Sequence, residues 1–258
     1  MTLIVTQISQ FGIVQAADSN LTAANGSPAG TARKIFPIPH LSAAASVAGS
    51  FSVGGTTFDA WLGQFVQDES AAGNNSLQSF ATGLKDKLEA EMTATEAQSG
   101  SIVHLAGYAP SSGDSQPARA EFYHIRNSHG IDSVTGNYSP SQKFLVDEDF
   151  ATTYMARPGF SGRLNAGYPM VYANGFPSGR INFFSLYQAL HQFFLGVWAN
   201  PSWQFHPPAS LQESARFVRV YIEVVGALFM ASNYSAPFIG GPVAVYAIPP
   251  PPATASWE

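Results

Sequence analysis

Thr2 is a candidate nucleophile because of its type and its place in the chain. A threonine hydroxyl reacts poorly until a base takes up its proton. A threonine at the start of a chain carries such a base in its own α-amine, whose ordinary pKa is about 7.7 to 8.0. Removal of Met1 would expose that amine. Thr2 therefore predicts nucleophilic attack on a carbonyl carbon, with one residue supplying both nucleophile and base.

Three further residues of chemical interest, Asp18, Lys34 and Gly49, follow Thr2 at intervals of about 16 residues. Taken singly, each has an ordinary structural interpretation: a turn former at a strand end, a solvated cation and a turn glycine. Their order and spacing within distinctive local sequences favour a shared site instead. Those sequences are Thr2-Leu3-Ile4-Val5, Ala16-Ala17-Asp18-Ser19, Lys34-Ile35-Phe36 and Val47-Ala48-Gly49-Ser50.

These four blocks resemble the β subunits of proteasomes and the bacterial HslV-type peptidases, which are N-terminal-nucleophile hydrolases. The resemblance is specific over residues 2 to 66, where only the last interval departs from the family pattern, by a single residue. Beyond residue 66 it rests on the order of strands and helices. It predicts a bacterial proteasome homologue with an α+β fold, a four-layer αββα sandwich in which two mainly antiparallel sheets pack between helical layers.

The resemblance also assigns roles to the matched residues. Lys34 would lower the proton affinity of the Thr2 amine, and Asp18 would hold Lys34 by a charge-assisted hydrogen bond. The backbone N–H of Gly49 would stabilise the oxyanion of a tetrahedral intermediate. Val47 lies where the family lines its substrate pocket, which favours an apolar substrate side chain.

Two family sequences are matched imperfectly. The Gly-Ser-Gly turn that precedes the third helix corresponds to Ser178-Gly179, before a helix predicted from Asn182, and Ser178 is its candidate catalytic serine. The Asp-x-x-Ser-Gly-Gly sequence appears as residues 236–241, Ala-Pro-Phe-Ile-Gly-Gly, which lacks both the acid and the serine. Loss of these supporting groups would lower turnover or narrow the choice of substrate.

Three functions are compatible with this pattern. The first is a threonine peptidase that cleaves peptides or unfolded proteins inside a closed homo-oligomeric ring, with an ATP-dependent unfoldase as partner by analogy only. The second is a weakly active or inactive ring subunit that serves as a scaffold, which the missing Asp-x-x-Ser favours. The third is an amide hydrolase of the same nucleophile class that acts on a small molecule.

Composition narrows the classes of partner. The 258 residues are 45% hydrophobic and 11% charged, which leaves little charge to cover a monomer and favours burial between subunits. The net charge of -5 gives no basic field for nucleic acid or for an anionic membrane. With no cysteine and six scattered histidines, neither a disulfide nor a metal site is predicted, and no cofactor is expected. The apolar runs are too short to span a membrane, and we expect a cytoplasmic protein.

Hydrophobic periodicity predicts a single domain over residues 1–248, with an elaborated segment at 129–177 and a proline-rich tail at 249–258. Alternating and β-branched runs predict strands at residues 2–9, 13–17, 34–38, 41–50, 101–108, 118–125 and 243–248. Apolar residues three and four apart predict four helices. The first begins at Thr57, and the other three span residues 76–97, 182–198 and 211–231.

Overall fold

The computed structural model describes residues 2–23, 27–73, 75–109, 119–131, 138–147, 169–176, 183–231 and 239–251. Its strands are β1 Thr2–Ser9, β2 Gly12–Ala17, β3 Asn20–Thr22, β4 Pro28–Thr31, β5 Ile35–Ile38, β6 Ala43–Gly49, β7 Ser52–Val53, β8 Thr56–Thr57, β9 Ser101–Tyr108, β10 Ala120–Ile131, β11 Tyr138–Asp147, β12 Met170–Phe176 and β13 Ala244–Ile248. Its helices are α1 Phe58–Ala71, α2 Leu77–Glu91, α3 Ala94–Gln98, α4 Phe183–Trp198 and α5 Leu211–Ala231, with one turn of 3-10 helix at Pro39–Leu41.

Two antiparallel sheets form the centre of the fold. The first has the order β12-β1-β2-β13, and the second has the order β11-β10-β9-β6-β5. The predicted hairpin of residues 2–17 is confirmed, with Ile4 opposite Ala17 and Ile8 opposite Ile13. The short pairs β3–β4 and β7–β8, which the sequence did not predict, add two small hairpins. The chain is therefore of mixed α+β class with antiparallel sheets, as predicted.

Apolar side chains fill three separate layers. One cluster joins the inner faces of the two sheets and includes Ile4, Ile13, Ala44, Ile102 and Phe122. A second lies between the β5–β6–β9–β10–β11 sheet and helices α1 and α2. A third lies between the β12–β1–β2–β13 sheet and helices α4 and α5. Strands β1, β2, β6 and β9 each contribute to two of these clusters, and nearly all their residues are buried.

The predicted helix over residues 76–97 is wrong in one respect, because the structure divides it. Helix α2 ends before Met92, whose backbone is extended, and a new helix begins after Thr93. Thr93 accepts a hydrogen bond from the Glu96 N–H, while the Glu96 carboxylate accepts one from the Thr93 N–H. This capping box satisfies N–H groups that a helix start leaves without partners, so the local sequence starts a second helix.

The segment over residues 129–177, which shows no periodicity in the sequence, contains more regular structure than predicted. Strand β10 continues past the predicted end at Ile125 to Ile131, and β11 and β12 follow. Strand β12 pairs with β1 over its whole length, placing Thr2 opposite Phe176. Part of the elaborated segment is therefore sheet.

Helices α1, α4 and α5 lie where the apolar periodicity predicted them. In α1, Phe58, Trp61, Leu62 and Phe65 are buried against the sheet, as their spacing of three and four residues requires. Within the described ranges, none of the helices combines the length and apolar character that a bilayer crossing requires. Of the proline-rich tail, only residues 249–251 are described, and they form neither helix nor strand.

Glu96 also holds the β7–β8 hairpin, since its carboxylate accepts hydrogen bonds from the N–H groups of Gly54 and Gly55, both at 3.0 Å. Partial burial raises the pKa of Glu96, but hydrogen bonds from Thr93, Gly55 and Ser52 outweigh it and lower the pKa to about 2. A depressed carboxylate pKa stabilises the fold above its ordinary value of 4.5, and this contribution is lost as pH falls towards 2.

We therefore expect Glu96→Gln to cost about 1 kcal/mol at pH 7, which corresponds to a melting temperature lower by about 2 to 4 °C. The difference from wild type should shrink below pH 4.5, because the unfolded wild-type chain then takes up a proton at Glu96 that the folded protein does not bind until pH approaches 2. Thermal unfolding followed by circular dichroism at several pH values measures both effects. Asp86→Asn, which removes an exposed carboxylate, is the control. A constant difference down to pH 2.5 would contradict this account.

Candidate active site

Asp18 follows β2 directly and is the centre of a buried hydrogen-bond cluster. Its Oδ1 accepts from the Leu3 N–H at 2.8 Å and from Lys34 Nζ at 3.2 Å. Its Oδ2 accepts from the N–H groups of Asn20 at 3.2 Å and Gly240 at 3.3 Å. One carboxylate therefore joins β1, the turn after β2, the residue before β5 and the loop before β13.

Lys34 is buried beside Asp18, and both residues are only 1% exposed. Besides Asp18, the Lys34 Nζ donates to the backbone carbonyl of Asn20 at 2.6 Å. The alternative of a solvated cation is therefore wrong for Lys34. A buried cation that donates to one carboxylate and one carbonyl is held in a fixed position, as an electrostatic role in catalysis requires.

Burial opposes charge on both partners. It raises the pKa of Asp18, although the positive charge of Lys34 and the N–H groups of Leu3 and Gly240 act in the lowering direction. It lowers the pKa of Lys34, and attraction to Asp18 only partly restores it. Each charge is therefore tolerated mainly because the other is present, and a lysine with a lowered pKa exchanges protons more readily near neutral pH.

Thr2 begins β1 and is 6% exposed. The N–H of Leu3, the residue after Thr2, donates to Asp18 Oδ1, and the same oxygen accepts from Lys34 Nζ. The structure therefore brings Thr2 to within one peptide unit of the Asp18–Lys34 pair. This contact fixes the strand end that carries the candidate nucleophile.

Gly49 ends β6 with a φ of +105°, a conformation that favours glycine. A Cβ atom at this position would lie 2.2 Å from the carbonyl oxygen of Gly100, so no other residue fits without moving the backbone. The strand is tied to the site through the Val47 N–H, which donates to the Lys34 carbonyl at 2.9 Å. The glycine predicted on chemical grounds is therefore also required by backbone geometry.

Val47 and Ser178 are the other two predicted site residues. Val47 is fully buried in the cluster between the second sheet and helices α1 and α2, so contact with a substrate would require that layer to open. Its pocket role stays a prediction. Ser178 lies outside the described residues, as does Ala236, which occupies the place of the missing acid.

Ile239, at the place of the missing serine, is fully buried in the cluster with α5. Its neighbour Gly240 takes part in the site through its backbone, because its N–H donates to Asp18 and its carbonyl accepts from the N–H groups of Ser19 and Asn20, both at 3.2 Å. Ile239 therefore lies in the core, while the N–H of the glycine that follows it donates to Asp18.

Sequence reasoning missed the backbone partners of the site. The Leu3 N–H, the Asn20 carbonyl and the Gly240 N–H carry no side-chain signal, and only the Gly240-Gly241 pair could have drawn attention to the last of them. Among the residues that the structure describes, no group of three or more His, Asp or Glu side chains could hold a metal ion.

No protein-family model matches this chain, and a search of curated proteins gives no match. The assignment of the site therefore rests on the resemblance of residues 2 to 66 and on the geometry of Asp18, Lys34 and the start of β1.

The buried pair gives a prediction about stability that is independent of any activity. Asp18→Asn should cost about 3 to 5 kcal/mol, because it leaves the Lys34 charge buried and uncompensated, and Lys34→Met should cost a similar amount by stranding Asp18. The double variant should lose less than the sum of the two losses, since it leaves neither charge alone. Urea unfolding of the four proteins measures the coupling, and additive losses would show that the pair does not act as a unit.

Proposed function

We propose that this chain is a threonine peptidase of the N-terminal-nucleophile class, which hydrolyses peptide bonds with Thr2 after removal of Met1. The observation that carries the proposal is the shared acceptor: the Leu3 N–H and Lys34 Nζ both donate to Asp18 Oδ1 in a buried setting. A lysine that acts on Thr2 must lie near it, and the shared acceptor holds Lys34 next to the peptide unit that follows Thr2.

In the proposed reaction, the Thr2 hydroxyl oxygen attacks the peptide carbonyl carbon as its proton moves to the Thr2 α-amine. The positive charge of Lys34 disfavours the protonated amine beforehand and stabilises the oxygen as it loses its proton. The Gly49 N–H donates to the resulting oxyanion. Breaking the C–N bond transfers the proton to the leaving amine, and water then hydrolyses the ester on Thr2.

The proposal includes a four-layer αββα sandwich as the architecture that carries the site. Its support is the order of the three apolar clusters: helices α1 and α2 on one sheet, the layer between the sheets, and helices α4 and α5 on the other sheet. In that arrangement, Asp18 and Lys34 connect residues from both sheets. We also propose a cytoplasmic location.

The proposed substrate is a peptide or an unfolded protein, and the proposed assembly is a closed homo-oligomeric ring, with an ATP-dependent unfoldase as partner by analogy. Only 11% of the residues are charged, and large apolar side chains are exposed on the second half of the chain. These are features of a surface that other subunits cover. Among the described residues, the exposed set comprises Leu145, Phe193, Trp203, Phe205, Val220, Leu228 and Met230.

The ring can be tested separately from the chemistry. Because closed symmetry is the usual form of homo-oligomers, we expect one species of high mass at micromolar concentration, measured by light scattering coupled to size exclusion. Phe193→Asp, Phe205→Asp and Met230→Asp, each at an exposed position, map which part of the surface the assembly covers. A monomer of 27.4 kDa would contradict both the chambered peptidase and the ring scaffold.

One observation favours the scaffold as the second candidate. Ile239 is fully buried in an apolar cluster, at the place where the family carries a serine. A ring subunit without turnover would keep the fold and the Asp18–Lys34 pair for stability while losing this hydroxyl. The small-molecule amide hydrolase shares the chemistry of the first candidate and differs in substrate.

Covalent labelling tests the chemistry directly. We expect a peptide epoxyketone to add one equivalent to Thr2 of wild-type protein, and intact mass should show that Met1 is absent. Thr2→Ala should abolish labelling because it removes the nucleophile. Thr2→Ser keeps a hydroxyl and should label, which makes it the matched control. Lys34→Met should slow labelling by about 10² or more, at a temperature where circular dichroism shows it folded.

Each failure has a different meaning. Equal labelling rates for wild type and folded Lys34→Met would remove Lys34 from the mechanism. Full retention of Met1, or no labelling of wild-type protein, would favour the scaffold. Labelling without cleavage of any peptide library would favour a small-molecule substrate.

A further inference from the structure

A polar cluster interrupts the apolar layer between the two sheets. Its centre is the pair His104 on β9 and His124 on β10, which are 0% and 3% exposed. Their rings lie 5.5 Å apart in an edge-to-face arrangement. The proposed function uses neither histidine, although two imidazoles in a core are costly unless their polar atoms find partners. The side chains that supply those partners are Thr6, Asp147, Tyr172 and Asn174.

One amide group serves both imidazoles. The Asn174 Nδ2 lies 3.0 Å from His104 Nε2 and 3.1 Å from His124 Nε2, and an amide NH₂ group has one hydrogen to donate to each ring. Both Nε2 atoms must then be bare acceptors, so each ring carries its proton on Nδ1. The His104 Nδ1 accordingly lies 3.0 Å from Thr6 Oγ1.

The other ring fits the same tautomer. The His124 Nδ1 lies 3.4 Å from the Tyr172 hydroxyl and 3.4 Å from Asp147 Oδ2, both of which can accept its proton. With Asn174 in this orientation, the network is complete only while both imidazoles are neutral. It links β1, β9, β10, β11 and β12, and hence the two sheets.

We propose that His104, His124 and Asn174 form a proton-sensitive latch between the sheets, closed while both imidazoles are neutral and opened when they take up protons. A proton on His104 Nε2 would face the N–H of Asn174, placing two donors together. Reversing the amide would present its oxygen instead, but that oxygen would then face the bare Nε2 of His124. Since Asp147 holds the His124 proton on Nδ1, the reversed amide fits only when both rings are charged, and two cations would then lie 5.5 Å apart in the core. The two rings therefore change together.

The charged and titratable groups around the latch determine whether protons open it or close it. The charged groups next to it are Asp147 on β11 and Arg126 on β10, which contact each other at 2.9 Å. Tyr172 on β12 is the further titratable neighbour. The other described neighbours are neutral: Thr6 on β1, Gln15 on β2, which donates to the His104 carbonyl, Ser46 opposite His104 on β6, and Phe122 on β10.

Burial lowers the pKa of His104 well below its ordinary value of 6.5, and a charge on His124 lowers it further. Burial also lowers the pKa of His124, as does the charge of Arg126, while the hydrogen bond that His124 donates to Asp147 acts in the raising direction. The two histidines of an unfolded or opened chain therefore bind protons at a pH where those of the closed latch do not. Stability of the closed state is complete above about pH 6.5 and falls as pH drops below it.

Hydrogen exchange on the full chain tests the latch, independently of Thr2 chemistry. After correction for intrinsic rates, we expect protection of the β12 peptide, residues 170–176, to fall below pH 6.5 by about 100-fold per pH unit, the slope for two protons. Helix α2 should keep its protection over the same range. Unchanged β12 protection in wild type between pH 7.5 and 5.0 would overturn the proposal without any variant.

Asn174→Asp should reverse the pH dependence of β12 protection. A carboxylate at this place accepts from two protonated Nε2–H groups and is repelled by two bare Nε2 atoms, so β12 should be better protected at pH 5.5 than at pH 7.5. The matched control is Asn127→Asp, another buried amide whose partners are Ser101, Ala97 and Ser141. It should keep the wild-type profile at β12. A wild-type profile in Asn174→Asp would contradict the latch.

Discussion

The buried contact between Asp18 and Lys34 is the constraint on which the rest of the site depends. Neither charge can be buried alone without a cost of several kcal/mol, so the chain must bring residues of both sheets to one point and supply further donors around the carboxylate. Leu3, Asn20 and Gly240 do so with backbone groups. A hydrophobic pair of similar volume would serve stability as well. The Asp18–Lys34 pair is compatible with the chemistry proposed for Thr2 and with a purely structural role.

The side chains of the candidate site could be predicted from the sequence, but its backbone groups could not. Asp18, Lys34 and Gly49 have types and spacings that a chemical argument can use, and the structure brings Asp18 and Lys34 into contact beside the start of β1. The backbone groups that complete the cluster could not be predicted, because every residue except proline has the same N–H and carbonyl. The latch histidines were also beyond reach, since β9 and β10 place them together only after register is fixed.

Predictability of the fold followed the length of each apolar pattern. Long periodic segments such as α5 and the opening hairpin were found with nearly correct bounds. The break between α2 and α3 was missed because apolar spacing continues through it, while Thr93 and Glu96 stop the helix by hydrogen bonding. Strands β11 and β12 were missed because they lie in a segment without countable periodicity, and they gain strand structure from pairing with a neighbour rather than from their own composition.

The strand order of the first sheet has a consequence for biosynthesis. Its first two strands lie at the start of the chain, but their outer neighbours are β12 and β13, more than a hundred and fifty residues later. Such distant pairing is slow, because loop closure must precede any gain from contacts. At the rate of synthesis on the ribosome, Gly240, the last donor to Asp18, is added on the order of tens of seconds after the hairpin. A nascent chain therefore completes the hydrogen bonds of Asp18 only after Gly240 has been synthesised.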